Sequence, residues 1–238
     1  MSRTNAAFDP YGGEDPREIP AYSVIDAAHY LWLPERTVQG WTRGRYSTNQ
    51  KPVVPADPES GLLSFAHLLE LHVLAALRRQ HGLQTQSVRN ARDYLQQKWG
   101  SAHPLIDVVM ETDGKHLFAR RIGELINVSR HGQLAIEEMI AARLERIERD
   151  DAGLAQRLYP FTRKNVIEQP SAPRLVTIDP RYMFGKPVIT GSRVPTSEIA
   201  GRFYAGDSYE TLVAEYGRSP EEIEEAIRYE WWRAGIAA

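Results

Sequence analysis

The hydrophobic positions between residues 22 and 44 form two short helical patterns separated by a tight turn. In the first pattern the apolar residues recur at spacings of three and four and share one helical face: Val24, Ala27, Ala28 and Leu31. Ser23 precedes this helix as a cap. Pro34 suits the first position of a second helix, whose inner face carries Val38 and Trp41 and whose end is marked by Gly44. The stretch therefore predicts a helix-turn-helix.

The outward face of the second helix is polar. Its side chains are of the types that contact phosphates and base edges in DNA: Glu35, Arg36, Thr37, Gln39 and Arg43. Many short helix pairs in globular proteins serve only as packing units, so this pattern alone leaves both interpretations open.

Turn-forming residues after the second helix surround two short extended pieces, near residues 52–54 and 62–65, which predict a hairpin or wing. Two amphipathic helices follow. Ser64 precedes the first, which Gly82 closes, and Thr85 is expected to cap the second. The second is expected to face inward with Val88, Ala91, Tyr94 and Leu95, and outward with Arg89, Arg92 and Lys98.

Charge is unevenly distributed along the 238 residues. The net charge is −2, whereas residues 22–100 carry nine Lys or Arg against six Asp or Glu. Within that region the stretch from Arg36 to Lys51 contains four basic residues and no acidic one. A basic stripe on an acidic protein is an electrostatic footprint for phosphate groups.

The order helix, turn, helix, wing, helix, helix resembles the winged-helix DNA-binding domain of the MerR regulator family over residues 22–100. Three stretches carry the resemblance: YSVIDAAHYLWLPERTVQGWTRG, in which Trp41 matches an aromatic of that family's second helix, the wing ending in LLSF, and a helix pair divided at QHGLQTQSV. The resemblance implies that four side chains face the major groove: Arg36, Thr37, Gln39 and Arg43. It also implies that the wing contacts the DNA backbone through Arg45, Tyr46 and Lys51.

Residues 101–164 depart from that family. The segments IDVVM and HLFAR flank Asp113-Gly114, a strong tight-turn signal, and predict a two-stranded hairpin. A helix is expected next, with Glu145 and Arg149 as an ion pair four residues apart. One apolar face runs along it, through Ile136, Met139, Ile140, Leu144 and Ile147. That face either pairs with its copy in a homodimer or covers the hairpin of the same chain.

The C-terminal region, residues 175–238, follows a predicted linker at residues 165–174. Two extended pieces, LVTI and PVIT, precede three helices. The expected helix starts are Thr196 or Ser197, Ser208 and Ser219, and the first two ends are Gly206 and Gly217.

The stretch FGKPVITGSRVPTSEIAGRFYAGDSYETLVAEYGRSPEEIEEAIRY is similar, nearly end to end, to a small bacterial domain family of formerly unknown function that is linked to antitoxins. With a DNA-binding module in front, the whole chain resembles the larger VapB-type antitoxins of mycobacteria. Those proteins are encoded beside a PIN-domain ribonuclease toxin, so the resemblance implies such a toxin as a partner.

Two groups of residues in this region are candidates for toxin binding. Cations flank the FGKPVITGSR hairpin and either block the acidic, cation-binding site of the nuclease or merely neutralise neighbouring acids: Arg181, Lys186 and Arg193. The last helix is rich in glutamate, which argues against contact with phosphates and favours a dimer or partner surface. Its aromatic residues fit either an interface or the core of the domain: Tyr229, Trp231 and Trp232.

Several sequence motifs typical of enzymes do not occur in the chain. The chain contains no cysteine, and its seven histidines show no metal-ligand spacing. Neither a GxxxxGK[ST] phosphate loop nor a GxSxG nucleophile turn occurs. The sequence therefore predicts no enzyme and no cofactor. Without an apolar run of membrane-spanning length or a signal-peptide core, it also predicts a cytoplasmic protein.

Together these observations predict a mainly α fold with small β hairpins. The expected order is a flexible arm at residues 1–21, a winged helix-turn-helix domain at 22–100, a hairpin and dimerisation or linking helix at 101–164, the linker, and a trihelical, helix-turn-helix-like domain at 175–238. The expected function is that of an antitoxin that neutralises a PIN-domain ribonuclease and, as a homodimer on operator DNA, autoregulates its operon. A MerR-like regulator without a toxin and an interaction scaffold that does not bind DNA are the alternatives.

Overall fold

A computed structural model describes residues 11–44, 51–79, 84–126, 129–162 and 172–236. Within these ranges the chain forms nine α-helices and two small antiparallel sheets, so the mainly α fold class with small β pairings is confirmed. In chain order the elements are α1 (Val24–Tyr30), α2 (Glu35–Thr42), α3 (Phe65–Leu74), α4 (Thr85–Trp99), α5 (Asp113–Ile126), α6 (Arg130–Leu144), β1 (Ile147–Arg149), β2 (Ala155–Leu158), β3 (Val176–Thr177), β4 (Val188–Ile189), α7 (Thr196–Tyr204), α8 (Tyr209–Tyr216) and α9 (Pro220–Ile236).

The first two helices form the predicted helix pair. Ser23 caps α1 in a reciprocal capping box, because its hydroxyl accepts the Asp26 N–H while the Asp26 carboxylate accepts the Ser23 N–H. The α2 helix begins at Glu35, so Pro34 is its cap residue and not, as predicted, its first residue. Gly44 follows α2 with a φ of +69°, the left-handed conformation of a helix terminus.

The predicted wing is not formed as a hairpin in the described part of that segment. The backbone N–H groups of Val53 and Val54 both donate to the Trp41 carbonyl at the end of α2, at 2.7 and 3.0 Å. Leu63 forms its β-bridge with Tyr22, not with residues 52–54. The two extended pieces therefore form backbone hydrogen bonds with Trp41 and Tyr22, and not with each other.

The next two helices form the centre of the N-terminal core. Ser64 caps α3 as predicted, and α3 is buried on nearly all sides. The α4 helix begins at Thr85, but Gln84 is its cap residue and provides no side-chain bond. The prediction that Arg89 and Arg92 are solvated is wrong, because each is only 5% exposed. Arg92 points inward to the fully buried carboxylate of Glu70 on α3.

Glu70 is the centre of a buried charge cluster. It accepts hydrogen bonds from Arg92 Nε and Nη2 at 3.1 and 3.0 Å, and its Oε2 lies 3.2 Å from Nδ1 of His103. The other ring nitrogen of His103 lies 3.0 Å from Oε2 of Glu18. Burial alone would lower the pKa of His103, but hydrogen bonds to Glu18 and Glu70 outweigh it and raise that pKa to about 9.

The described end of the predicted flexible arm, residues 11–21, packs on the folded chain. The Arg17 carbonyl accepts the Ala66 N–H at 3.0 Å, and the Ala21 N–H donates to the Leu63 carbonyl at 2.9 Å. The Tyr11 hydroxyl donates to the Pro180 carbonyl at 2.7 Å, so this segment also contacts the C-terminal region.

The hairpin predicted around Asp113-Gly114 is wrong, because this sequence forms the helix α5. The positions buried along α5 follow a helical period: Phe118, Ala119 and Ile122. They pack against α4 and α6. Gly114 lies against Trp99 and the Val109 carbonyl, where any Cβ would come within 2.7 Å of both. The glycine therefore serves close packing at a helix start and not a turn.

The apolar face predicted for dimerisation is covered by the chain's own core. Its residues are at most 6% exposed: Ile136, Met139, Ile140, Leu144 and Ile147. The helix α6 ends at Leu144, so Ile147 and Arg149 lie on β1. For that reason the predicted pair of Glu145 with Arg149 is also wrong, and Arg149 pairs with Glu111.

The C-terminal region follows its predicted outline. The strands β3 and β4 pair antiparallel, with Val176 opposite Ile189. Ser208 caps α8, Gly217 ends it with a φ of +59°, and Ser219 exchanges two hydrogen bonds with Glu222 at the start of α9. The three helices enclose a small core of their own: Ile189, Ile199, Leu212, Ile223, Ala226 and Ile227. Thr196 does not cap α7, because Pro195 holds the cap position.

The His103 cluster predicts a loss of stability at alkaline pH. Because the folded pKa of about 9 lies above the ordinary value of 6.5, the contribution of His103 is complete below pH 6.5 and is lost as pH rises through 9. We expect the free energy of unfolding to fall by at most about 3 kcal/mol over this range. Urea denaturation at a series of pH values measures it. His103→Gln should flatten the slope, whereas exposed His131→Gln should not; equal slopes in His103→Gln and the wild type would contradict the assignment.

Candidate functional site

The exposed face of α2 carries the cations predicted to contact DNA. Arg36 and Arg43 are exposed, and Val38 and Trp41 on the opposite face are buried. The Gln39 amide donates to the Glu35 carboxylate at 2.6 Å, which orients both side chains along the helix. Among the described residues, neither Arg36 nor Arg43 forms an ion pair, so the face keeps its positive charge.

Lys51 extends this positive surface beyond the end of α2. It is exposed, and the two residues after Pro52 are fixed to the Trp41 carbonyl. Arg89 reaches the same segment from α4, with its Nε 3.4 Å from the Pro52 carbonyl. The structure thus brings Lys51 to the same end of the molecule as Arg43. Arg45 and Tyr46, predicted for the wing, lie outside the described residues.

The last helix docks on the turn between α1 and α2. Trp32 in that turn has a left-handed φ of +53°, and its indole N–H donates to the Tyr229 carbonyl at 3.2 Å. The two rings stack with centroids 6.4 Å apart. The Tyr229 hydroxyl donates to the Tyr30 carbonyl at 2.9 Å, and burial raises the pKa of Tyr229 well above its ordinary value. His29 Nε2 lies 3.2 Å from Glu230 Oε2.

The predicted toxin-binding role of Tyr229 is therefore wrong, because its ring is fully buried in this internal junction. The core interpretation of that residue is the one that holds. Trp231, two thirds exposed, faces solvent. The side chain of Trp232 lies outside the described part of α9. The sequence alone does not tell which of Tyr229 and Trp231 is buried, and the structure does.

The three cations predicted to bind the toxin near β4 differ in whether an acidic side chain of the same chain pairs with them. Arg181 donates to Asp179 through Nε and Nη2 at 2.9 and 2.6 Å, and Arg157 shares the same carboxylate at 2.9 Å. Burial would raise the pKa of Asp179, but these hydrogen bonds hold it below its ordinary value. Lys186 and Arg193 are exposed and form no ion pair within the described ranges. Arg181 is therefore a structural cation, whereas the other two are available to a partner.

Between these cations lies a residue that sequence reasoning missed. Phe184 is 80% exposed and has a left-handed φ of +54°. Close to it in sequence, Tyr182 has the guanidinium groups of Arg181 and Arg193 at 5.8 and 5.6 Å from its ring centroid. In the sequence, Phe184 is marked only by the glycine that follows it. A phenylalanine beside a glycine is too common a pattern to predict an exposed ring.

Metal-binding clusters and membrane-spanning helices are two further features that bear on function. No group of three or more His, Asp or Glu side chains among the described residues has the geometry of a metal site. None of the helices found in the same ranges combines the length and apolar character that a membrane crossing needs.

The junction at Tyr229 yields a prediction about stability. Tyr229→Phe removes the hydroxyl and leaves the partly buried Tyr30 carbonyl without that donor, so we expect a loss of about 1 kcal/mol in the free energy of unfolding. The matched control is Tyr204→Phe, since Tyr204 is about half exposed and should lose little. Urea denaturation followed by tryptophan fluorescence measures both. If the two variants lose equal stability, the hydroxyl of Tyr229 does not hold the junction.

Comparisons with known proteins bear on both ends of the chain. Residues 176–229 match a family described as "Protein of unknown function (DUF433)". The crystal structure of Rv2018 from Mycobacterium tuberculosis covers 89% of this chain and 98% of its own, with a TM-score of 0.65 at 24% identity. That likeness shows a shared fold.

Two curated proteins of Mycobacterium tuberculosis are similar over most of their length. "Uncharacterized protein Rv2308" is 25% identical over 228 residues, covering 90% of each chain. The protein named "Putative antitoxin VapB45" is 30% identical over 236 residues, covering 88% of this chain and 93% of its own. The chain therefore belongs to the family of VapB45.

Proposed function

We propose that this chain is the antitoxin of a toxin–antitoxin pair, that it inhibits a PIN-domain ribonuclease, and that it represses its own operon by binding operator DNA. The observation that carries the proposal is the identity of 30% over 88% of the chain with a protein named as an antitoxin. The match covers 88% of this chain and 93% of that protein, so it relates most of the architecture and not one module.

The exposed face of α2 is the proposed DNA-binding surface. Arg36 and Gln39 lie where a helix in the major groove would present base-reading side chains, and Lys51 lies beside the end of that helix. A phosphate backbone attracts such a cluster even on a chain with a net charge of −2. The MerR-like helix pair remains part of this proposal, whereas the hairpin predicted between residues 52–54 and 62–65 does not, because Leu63 forms its bridge with Tyr22.

The proposed homodimer would match an operator with two-fold symmetry. Its interface must use a surface other than the apolar face of α6, because that face is buried in the core of the same chain. The proposed toxin surface is formed by the C-terminal region, where Lys186, Arg193 and Trp231 are exposed. These side chains suit a nuclease whose site is a cluster of acids around a divalent cation.

A MerR-like regulator without a toxin is the second candidate function. The observation in its favour is that Arg36 and Arg43 are exposed and form no ion pair with any residue that the structure describes, a charge that suits DNA phosphates. Both candidates require DNA binding, whereas the scaffold alternative does not. Nuclease inhibition therefore distinguishes the first two, and operator binding distinguishes both from the scaffold.

Operator binding should depend on salt and on α2. Lys51→Ala should weaken binding to all sequences alike and reduce the magnitude of the log–log salt slope by about 0.9 per lost phosphate contact. Gln39→Ala should reduce the preference for operator over random DNA by about 1–3 kcal/mol. Fluorescence anisotropy with a promoter fragment at several salt concentrations measures both. Arg120→Ala, the same change of charge on the exposed side of α5, is the control; if it acts like Lys51→Ala, the surface is wrongly placed.

Nuclease inhibition is the test of the antitoxin function. The nuclease encoded in the adjacent open reading frame should lose its cleavage of a fluorescent RNA substrate when the purified full chain is added, with the loss complete near one equivalent. The two proteins should also co-elute in size-exclusion chromatography. Cleavage that is unchanged at excess chain, with no co-elution, would reject the antitoxin and leave the regulator.

A further inference from the structure

The turn between β3 and β4 holds an unusual backbone. Met183, Phe184 and Gly185 all have left-handed φ values, of +50°, +54° and +72°. Two of these three residues carry a side chain larger than a methyl group, and such residues are rarely found in this region. Each is strained in this conformation relative to glycine. The surrounding structure must therefore impose this conformation.

Hydrogen bonds within the turn and packing against Tyr22 hold its backbone in place. The Gly185 N–H donates to the Tyr182 carbonyl at 2.9 Å, and the Lys186 N–H donates to the Met183 carbonyl at 3.2 Å. Any Cβ at Gly185 would overlap the Tyr22 hydroxyl, so the turn is pressed against the N-terminal region. The guanidinium groups of Arg181 and Arg193 also lie near the Tyr182 ring, 5.8 and 5.6 Å from its centroid. The turn is consequently rigid in its placement.

This rigid turn presents an apolar ring to solvent. Phe184 is 80% exposed, the highest value among the large hydrophobic residues that the structure describes. The ring contributes little to the core, and glycine or asparagine would suit a φ of +54° better. Folding of this chain therefore gives no reason for a phenylalanine here. A contact of the ring with a partner molecule would give that reason.

The charges around the ring indicate the chemistry of that contact. Arg181 and Arg157 are compensated by Asp179, whereas Lys186 and Arg193 are exposed without an acidic partner in the described ranges. A complementary surface is thus an apolar pocket with acidic side chains at its rim. One ring and two uncompensated cations provide no track for successive phosphates, so a protein pocket fits better than a nucleic-acid strand.

We propose that Phe184 is the anchor of a protein–protein interface, and that it inserts into an acid-rimmed apolar pocket of the nuclease partner. This inference rests on the proposed antitoxin function and names the residue through which that function acts. Aromatic anchors in central pockets carry most of the binding energy of many interfaces. Lys186 and Arg193 then lie at the rim, where they speed association more than they strengthen the complex.

The test compares three full-length variants: Phe184→Ala, Phe184→Gly and the control Tyr204→Ala, which removes an aromatic ring of similar size that is 52% exposed on α7. Surface plasmon resonance with the nuclease from the adjacent open reading frame measures affinity and dissociation rate. We expect both Phe184 variants to weaken binding by about 30-fold or more, mainly through faster dissociation, and Tyr204→Ala to stay within about twofold of wild type. Because glycine relieves the left-handed strain, Phe184→Gly should also melt at a higher temperature than wild type.

The outcomes separate this inference from the proposed function. If the wild type binds the nuclease and Phe184→Ala binds it equally well, the anchor is wrong and the antitoxin function stands. If the wild type does not bind the nuclease, both are rejected. If Phe184→Ala keeps the nuclease but loses affinity for a short single-stranded RNA, the ring contacts nucleic acid and the inference is overturned. A lower melting temperature for Phe184→Gly would count against it too, since the ring would then serve the fold.

Discussion

The docking of α9 on the turn between α1 and α2 is the contact on which the arrangement of the chain depends. Tyr229 bonds to Tyr30 through its hydroxyl and to Trp32 through its carbonyl, over a separation of almost 200 residues. Trp32 occupies a left-handed turn position where a helix-turn-helix often has glycine. Since α2 begins three residues later, the proposed DNA surface is positioned by the same contact that holds the C-terminal region.

Features that depend on neighbours in sequence could be predicted. The caps at Ser23, Ser64, Ser208 and Ser219 each use a backbone N–H three residues away, so a local pattern is enough. The paired strands β3 and β4 and the three C-terminal helices are also marked by local turns. The Asp113-Gly114 hairpin failed because the local turn signal opposed a helical apolar period that extends to Ile122. Packing against α4 and α6 decides in favour of the longer pattern.

The site was less predictable, because burial and backbone conformation are settled by distant parts of the chain. Arg92 looks like a surface arginine of an amphipathic helix until Glu70, 22 residues earlier, is placed opposite it. Tyr229 and Trp231 are near neighbours on one helix, yet one is buried and the other two thirds exposed. Phe184 is conspicuous only when its φ and its exposure are known together. By contrast, the cations of α2 were found from the sequence, because an amphipathic helix fixes which side faces water.

The net charge of −2 hides how the arginines are divided between structure and surface. Arg146 is buried and donates to four backbone carbonyls, those of Tyr159, Pro160, Ala172 and Pro173, and burial lowers its pKa to about 10. Arg92 and Arg157 are likewise engaged by carboxylates of the same chain. What remains exposed without an acidic partner, in the described ranges, includes Arg36, Arg43 and Lys51 at one surface and Lys186 and Arg193 at another. Internal pairing therefore leaves cationic surfaces on an acidic chain, these two among them, and the contact between Trp32 and Tyr229 joins the region that carries the first to the C-terminal region that carries the second.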